Sequence, residues 1–456
     1  MKHYDIIIIG AGSAGLTMAA VSANLGHKVA LIEGHKMGGD CLNYGCVPSK
    51  ALLAQAKQKT TDFKQVKTAI KNAIDTIAPH DSVERFESLG CDIYQENTYF
   101  KNDQTVVVGN NEITAKRFVI ATGASTFIPP IAGLNDVHYL TNENIFELDT
   151  CPKHLIIVGG GAIGIEMAFA YINLGAEVTL LEVSHSILPQ SNKDAVNILR
   201  DKLKNLGVRI IERAEISAVK NDDKQISMQL EGEKISGSHL LIATGRKANI
   251  DHLQLEHAGI EFTAKGINVD KTLRTNKKHI YAIGDCSSKY QFTHVASFEA
   301  SLVIKRSLFG LFHSKINYNA VPKVIYTNPE LAETGISEKE VLEQYDASDI
   351  RIIKVLYSDV HRAICDNKTT GFAKVITTKK GYILGACIIG EAAGELITPW
   401  TTLIAHKRKI SDLSSVTVPY PSYSEINKQV ASAFYKDSFY SEKVKCISKW
   451  LFKLLG

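Results

Sequence analysis

The 456-residue chain predicts an α/β fold: two Rossmann-like dinucleotide-binding domains followed by a C-terminal α+β domain. Three observations predict it. A segment at the N-terminus recurs, with its pattern intact, from residue 155 onward. Each copy joins an apolar run to a glycine-rich turn and a helix-length segment. The last third changes character, to short strand-like runs with hairpin signals. The length accommodates about three domains of roughly 150 residues.

The first copy, residues 6–33, reads IIIIGAGSAGLTMAAVSANLGHKVALIE, and the second, residues 155–182, reads LIIVGGGAIGIEMAFAYINLGAEVTLLE. They align without a gap. Gly10, Gly12 and Gly15 fall on Gly159, Gly161 and Gly164, and Glu33 falls on Glu182. Continuous Ile/Val runs suit parallel strands buried on both faces. The first glycine permits the tight turn, the second lets a pyrophosphate approach the backbone, and the third lets helix and strand pack closely. The phosphates then meet free N–H groups at the helix start. The acid, 23 residues after the first glycine in both copies, is placed for a ribose hydroxyl.

Each copy closes on a second echo, Val-Ile-Ala-Thr-Gly at 119–123 and Leu-Ile-Ala-Thr-Gly at 241–245. Thr122, Gly123 and Gly245 are therefore candidate cofactor contacts. Two dinucleotide sites in one chain suggest a flavin and a nicotinamide exchanging electrons. Glu182 favours NADH, because a carboxylate repels a 2′-phosphate. The next residues, Val183, Ser184 and His185, supply no arginine; Arg246, further on, could compensate, which leaves NADPH open.

The first copy is 27 residues longer than the second between its acid and its Ala-Thr-Gly echo. That insertion holds GGDCLNYGCVPSK at 38–50, with Cys41 and Cys46 four residues apart. Pro48 suits a first helical turn, which places both sulfurs at or just before a helix N-terminus. The dipole and Lys50 should draw a thiol toward thiolate. Three readings are open: a reversible dithiol–disulfide, a structural zinc site, or inert core cysteines. Zinc needs two more soft ligands at matching spacing. The remaining cysteines (91, 151, 286, 365, 387 and 446) are scattered, which favours the dithiol. No structural metal is expected, and the fifteen histidines, His361 among them, show no ligand spacing and read as solvated or core residues.

Through this segment the chain resembles the flavoprotein (pyridine nucleotide) disulfide oxidoreductases, and the likeness extends along nearly its whole length. It is nearer the mercuric reductase-like members than the dihydrolipoamide dehydrogenases. The resemblance implies an FAD domain at 1–150 completed by 275–318, an NAD(P) domain at 151–274 and a dimerisation domain at 319–456. Tyr-Ala-Ile-Gly-Asp-Cys at 281–286 looks like the second flavin motif, with Asp285 on the ribityl chain and Thr293 nearby. The same resemblance makes Cys46 the thiolate beside the flavin, Cys41 the interchange thiol, and Lys50–Glu166 a pair near the flavin ring. Without it, Lys50 reads as a surface lysine and Glu166 as an ordinary helix carboxylate.

In the last third, segments 323–327, 351–357, 371–378 and 381–390 read as strands, Lys379-Lys380-Gly381 as a hairpin turn, and 391–409 as a helix. The family's C-terminal His-Pro segment corresponds to Tyr420-Pro421-Ser422-Tyr423-Ser424-Glu425. Glu425 keeps the glutamate; Tyr420 stands where the resemblance implies a catalytic histidine. A phenol of pKa near 10 is a poor base at neutral pH, where an imidazole titrates. Fast dithiol chemistry is therefore not expected. The resemblance points instead to a small oxidant such as a thiophilic metal ion, Hg(II) or Cu(II), reduced by the Cys41–Cys46 pair. A dihydrolipoamide dehydrogenase-type reductase is the alternative, and a non-turnover redox sensor or membrane-associated partner protein a further one. The terminal vicinal cysteines of mercuric reductases are missing: the tail carries Cys446 alone.

Composition bounds these readings. Hydrophobic residues make up 45% and charged residues 22% of the chain, as in ordinary globular proteins. A formal net charge of +4 argues for no nucleic-acid partner. No apolar run approaches the roughly 20 residues of a membrane span, and no secretory leader precedes the first strand. The expectation is a cytoplasmic homodimer. Its tail, 443–456, places Val444, Ile447, Trp450, Leu451, Leu454 and Leu455 on one helical face and Lys445, Lys449 and Lys453 opposite. That helix either packs on protein or rests on an anionic membrane surface.

Overall fold

A computed structural model of the chain describes residues 1–223, 225–288 and 290–455, with residue 437 described by its backbone alone. The chain divides into two compact units. One comprises Met1–Ser186 and Gly207–Ile316; the other comprises Ile187–Leu206 and the chain from Asn317 onward.

In the first unit the N-terminal sheet runs in the order Cys91–Tyr94, Val29–Ile32, Lys2–Ile9, Asn111–Ile120, Thr105–Val108, Thr98–Asn102, and Ile280–Ala282 also pairs with Asn111–Ile120. Ile6–Ile9 pair in parallel with Val29–Ile32 on one side and with Arg117–Ile120 on the other. Ile7 and Ile8 are completely buried, as a strand covered on both faces requires. The strand Ile280–Ala282 joins from 160 residues further along, in parallel register with Phe118–Ile120.

The second copy repeats the arrangement. His154–Val158, Glu177–Glu182, His239–Ile242 and Arg209–Glu212 form a parallel sheet, with the helix Ala162–Asn173 after the glycine turn. After the two Ala-Thr-Gly echoes, Ala124–Thr126 and Arg246–Ala248 pair antiparallel.

The second unit is built on an antiparallel sheet in the order Lys323–Ile325, Glu330–Gly335, Ile383–Gly390, Phe372–Thr378, Ile350–Leu356. Its core gathers Trp400, Tyr357, Ile388 and Val430, and the Trp400 indole N–H donates to Asn427 Oδ1 at 2.7 Å. The helix Lys193–Asn205 belongs to this unit, and its Asp194 accepts from the buried Lys374 at 2.8 Å, whose other partner is Glu338 at 2.9 Å.

Two expectations for this region need correction. The strand Glu330–Gly335 is absent from the sequence reading, because its Glu, Ala and Gly residues lack the β-branched alternation that marks a strand. The helix expected over 391–409 is instead Ala393–Leu396 and Thr398–Ala405. Ala392 takes a left-handed φ of 57°, and Pro399 begins the second helix, where a missing N–H costs nothing. The hairpin at 379–381 is present, with Gly381 at φ +84°. Among the described residues no helix is long and apolar enough to cross a membrane.

Candidate functional site: two nucleotide cradles and a cysteine pair

The two glycine turns are built alike. Gly10 and Gly159 have φ of +105° and +116°, and a Cβ on either would lie 2.3 or 2.2 Å from the carbonyl oxygen of Ala121 or Ala243. A Cβ on Gly15 or Gly164 would lie 1.8 or 1.9 Å from the carbonyl oxygen of Gly10 or Gly159. These four positions are closed by backbone. The middle glycines are different: a Cβ on Gly161 meets nothing within 4 Å, and one on Gly12 meets only Gly39 Cα at 4.0 Å. Space is left beside the turn only where a pyrophosphate must approach, so the residues fit dinucleotides in both copies.

The acids close each turn from the far side. Glu33 Oε2 accepts from Ala11 N at 2.7 Å and Oε1 from His35 N at 2.8 Å. Glu182 accepts from Gly160 N and Ser184 N, both at 2.6 Å, and is buried. Arg246 is engaged away from Glu182. Its guanidinium is committed to Asp40 at 3.2 Å, to Asp285 at 3.4 Å and to the Ala124 carbonyl.

Both cysteines of the insertion are free thiols. Only Cys46 sits at the N-terminus of a full helix, Cys46–Lys57; Cys41 lies in the preceding short helix Gly39–Asn43. This corrects the expectation that one helix start would serve both sulfurs, since the Tyr44-Gly45 link separates them. Cys46 Sγ lies 3.3 Å from the Thr293 hydroxyl, at the start of the helix Thr293–Ser307. The Cys41 thiol hydrogen bond draws the Cys46 pKa down to about 6; Thr293 and the Lys50 charge add to this, while burial and Asp40 oppose it. Cys41 is pushed well up, by the same hydrogen bond and by burial. The pair is therefore one thiolate and one thiol at neutral pH.

Lys50 Nζ donates to Glu166 Oε2 at 2.9 Å, with the carboxylate nearly buried and the ammonium partly exposed. This joins the insertion helix to the helix of the second copy. Burial raises the Asp285 carboxyl to about 6, with Arg246 opposing. The neighbouring Gly284 N donates to the fully buried Glu299 at 2.6 Å, which fixes the turn that presents Asp285. Asp40 also accepts from Asn142 Nδ2 at 2.7 Å.

A cavity of about 420 Å³ reaches Cys41 and Thr293, walled by Leu16, Val21 and Phe86, with Asp81 and Arg85 also lining it. Among the described residues no group of three or more His, Cys, Asp or Glu is arranged to hold a metal ion.

Tyr420 and Glu425 lie in the second unit. Tyr420 is 70% exposed, and its hydroxyl is 3.2 Å from His361 Nδ1. Glu425 opens the helix Glu425–Ala433, and its Oε2 is buried without a hydrogen-bond partner among the described residues.

Sequence reasoning missed Asp40, Asn142, Glu299, Asp81, Arg85 and the contact of His361. Asp40 adjoins Cys41 and could have been singled out. The others come from distant segments and carry no local signal.

Residues 4–300 match the pyridine nucleotide-disulphide oxidoreductase profile, and residues 321–431 match the dimerisation domain of the same family. The chain is 33% identical over 456 residues to a mercuric reductase of Bacillus cereus, covering 95% of this chain and 72% of the relative. It is 30% identical over 455 residues to a dihydrolipoyl dehydrogenase of Chlamydia pneumoniae, covering 93% and 95%. Among solved structures, the Cu(II) complex of the HOCl-induced flavoprotein disulfide reductase RclA from Escherichia coli superposes with a TM-score of 0.87 at 30% identity, covering 94% of this chain and 99% of that one. Doubled cradles, an inserted cysteine pair and relatives matched along nearly the whole of this chain lead to one assignment: the chain belongs to the pyridine nucleotide-disulphide oxidoreductases, NAD(P)H-dependent flavoprotein enzymes.

Proposed function

We propose that this chain is a homodimeric reductase that uses NADH, through FAD, to reduce a thiophilic metal ion at Cys41 and Cys46. FAD would be held by residues 1–150 and 275–318 through Gly10, Gly12, Gly15, Glu33, Thr122, Gly123, Asp285 and Thr293. The nicotinamide nucleotide would be held by residues 151–274 through Gly159, Gly161, Gly164, Glu182 and Gly245. Dimerisation would use residues 319–456. Bound FAD supplies the exchange of a nicotinamide hydride for two electrons delivered to the disulfide. The residues do the rest. Lys50, fixed by Glu166, places a cation beside Cys46. Cys46 holds the thiolate with the help of Cys41 and Thr293. Cys41 faces the cavity and meets the acceptor first.

The observation that carries this reading is the thiol–thiolate pair, with tyrosine rather than an imidazole at position 420. Thiolate sulfur selects soft metals, and binding drives the Cys41 proton off. Two electrons from the dithiolate then reduce one Hg(II) to Hg(0), or two Cu(II) to Cu(I), and restore the disulfide. RclA, solved as a Cu(II) complex, and the mercuric reductases are relatives of this chemistry. An anaerobic screen of NADH oxidation with Cu(II), Hg(II), oxidised glutathione and quinones, with dihydrolipoamide run in reverse, tests it. Metal-dependent turnover lost in Cys41→Ser is expected. Turnover with dihydrolipoamide outpacing both metals would overturn it.

One observation favours a second reading, a dihydrolipoamide dehydrogenase-type reductase. His361 Nδ1 lies within hydrogen-bond reach of the Tyr420 hydroxyl and would give that phenol a proton acceptor. On this reading His361→Ala abolishes dithiol turnover and Tyr420→His restores it. On the metal reading His361→Ala changes little.

A further inference from the structure

The C-terminal helix Glu442–Leu455 buries none of its residues. Its apolar side chains are left open: Ile447 is 47%, Trp450 61%, Leu454 66% and Leu455 82% exposed. Packing against its own protomer therefore does not account for the apolar face. We propose that this helix docks the enzyme on the surface of an anionic lipid bilayer.

At 100° per residue, Trp450, Leu454, Ile447, Leu451, Val444 and Leu455 share one continuous arc. Lys445, Lys449 and Lys453 share the opposite side. Lys443 stands within the apolar arc next to Trp450 and reaches out of it on its long stem. The helix has a single acid, Glu442, and that acid is paired with Lys445 at 2.7 Å. What remains is net positive charge along an open apolar stripe. This pairing of properties fits a surface that offers hydrocarbon and negative charge together.

A second copy of the helix fits less well. Two such faces in contact would gather the lysines of both copies with one already paired acid from each. The length decides the orientation. Fourteen residues rise roughly 21 Å, short of the ~30 Å hydrocarbon core, so the helix lies in the interface plane. Trp450 borders the arc, a level that suits a headgroup-depth aromatic.

The chain has two tryptophans, and Trp400 is completely buried, so a vesicle-induced change in emission reports Trp450. The holoenzyme is titrated with vesicles of phosphatidylglycerol and phosphatidylcholine, or of phosphatidylcholine alone. A blue shift and co-sedimentation with the anionic vesicles are expected, weakened at least tenfold on neutral vesicles or in high salt. Ile447→Asp with Leu451→Asp should abolish binding, and Lys445, Lys449 and Lys453→Gln should weaken it, with FAD content and NADH oxidation retained. Emission unchanged by anionic vesicles overturns the proposal. So does loss of the dimer in the Ile447→Asp, Leu451→Asp variant by light scattering without any vesicle binding by wild type, because a second copy would then cover the face.

Discussion

The first and second glycine-turn copies share backbone, spacing and closing acid, yet only one of them carries a cysteine pair. Their glycines meet the same carbonyl oxygens at nearly the same distances, and both acids accept the amide just after the first glycine. The difference lies in the stretch of chain beyond each acid. After Glu182 the chain leaves the sheet through Val183-Ser184-His185. After Glu33 it runs into the two helices that hold Cys41 and Cys46. The cradle is a packing solution that can be duplicated. The chemistry is an insertion laid against one copy and braced by the other through Lys50 and Glu166.

The sharpest way to break this comparison is to remove one sulfur. Cys46→Ser or Cys41→Ser should lower acceptor turnover by on the order of 10⁴-fold or more, because the two sulfurs act as a unit. FAD content should stay at wild-type level, since neither side chain builds a cradle. Equal loss of flavin and activity, read by absorbance of the purified protein, would mean that insertion and cradle are not separable.

The cradles themselves should fail in parallel. Gly15→Ala and Gly164→Ala each force a methyl to within 2 Å of a carbonyl oxygen, an overpacking that costs about 1–3 kcal/mol or more. The first should reduce FAD retention and the second nicotinamide affinity, measured by flavin content and by calorimetry. Gly161→Ala, with open space at its Cβ, should fold normally and weaken only the nucleotide.

The cradles were legible in the sequence because glycine spacing encodes backbone contact directly. Gly10 and Gly15 are needed where a Cβ would strike a carbonyl, and that requirement is local. The cysteine pair was legible for the same reason. The environment of the pair was not. The resemblance brought Thr293 to the flavin but not to Cys46, and Arg246 and Asn142, which hold the neighbouring Asp40, come from segments more than 100 residues away with nothing nearby to mark the contact. Arg246 shows the cost: read by charge alone it could serve a 2′-phosphate, whereas two carboxylates hold it elsewhere. In the second unit the apolar strands Phe372–Thr378 and Ile383–Gly390 were readable, and Glu330–Gly335, stabilised by its neighbours rather than by its own residues, was not.

Glu182 offers a smaller test, confined to the second cradle. Glu182→Gln removes the charge and keeps one acceptor for the Gly160 and Ser184 amides. The ratio of kcat/KM for NADPH over NADH should rise roughly tenfold, the equivalent of about 1.4 kcal/mol. The matching Glu33→Gln should leave that ratio alone. A ratio that moves with Glu33 would reverse the assignment of the two copies.

The smallest expected effect separates the thiolate from its surroundings. With Cys46 lowered to about 6, the thiolate is the form present above that pH and is lost as pH falls through it. A long-wavelength absorbance, expected from a Cys46 thiolate lying against the flavin in the NADH-reduced enzyme, should therefore fade below about pH 6. The Thr293 hydroxyl can donate to Cys46 Sγ and does so more strongly to the thiolate than to the thiol, so its loss disfavours the charged form and moves the midpoint upward. A hydrogen bond to a charged group of about 1.5 kcal/mol corresponds to a shift of about one pH unit in Thr293→Val. Lys50→Met should move the midpoint the same way, through lost charge rather than a lost hydrogen bond, and only its shift should shrink in high salt. If both midpoints stay near 6, the Cys41 hydrogen bond alone sets the thiolate, and the pair needs nothing from the helices around it.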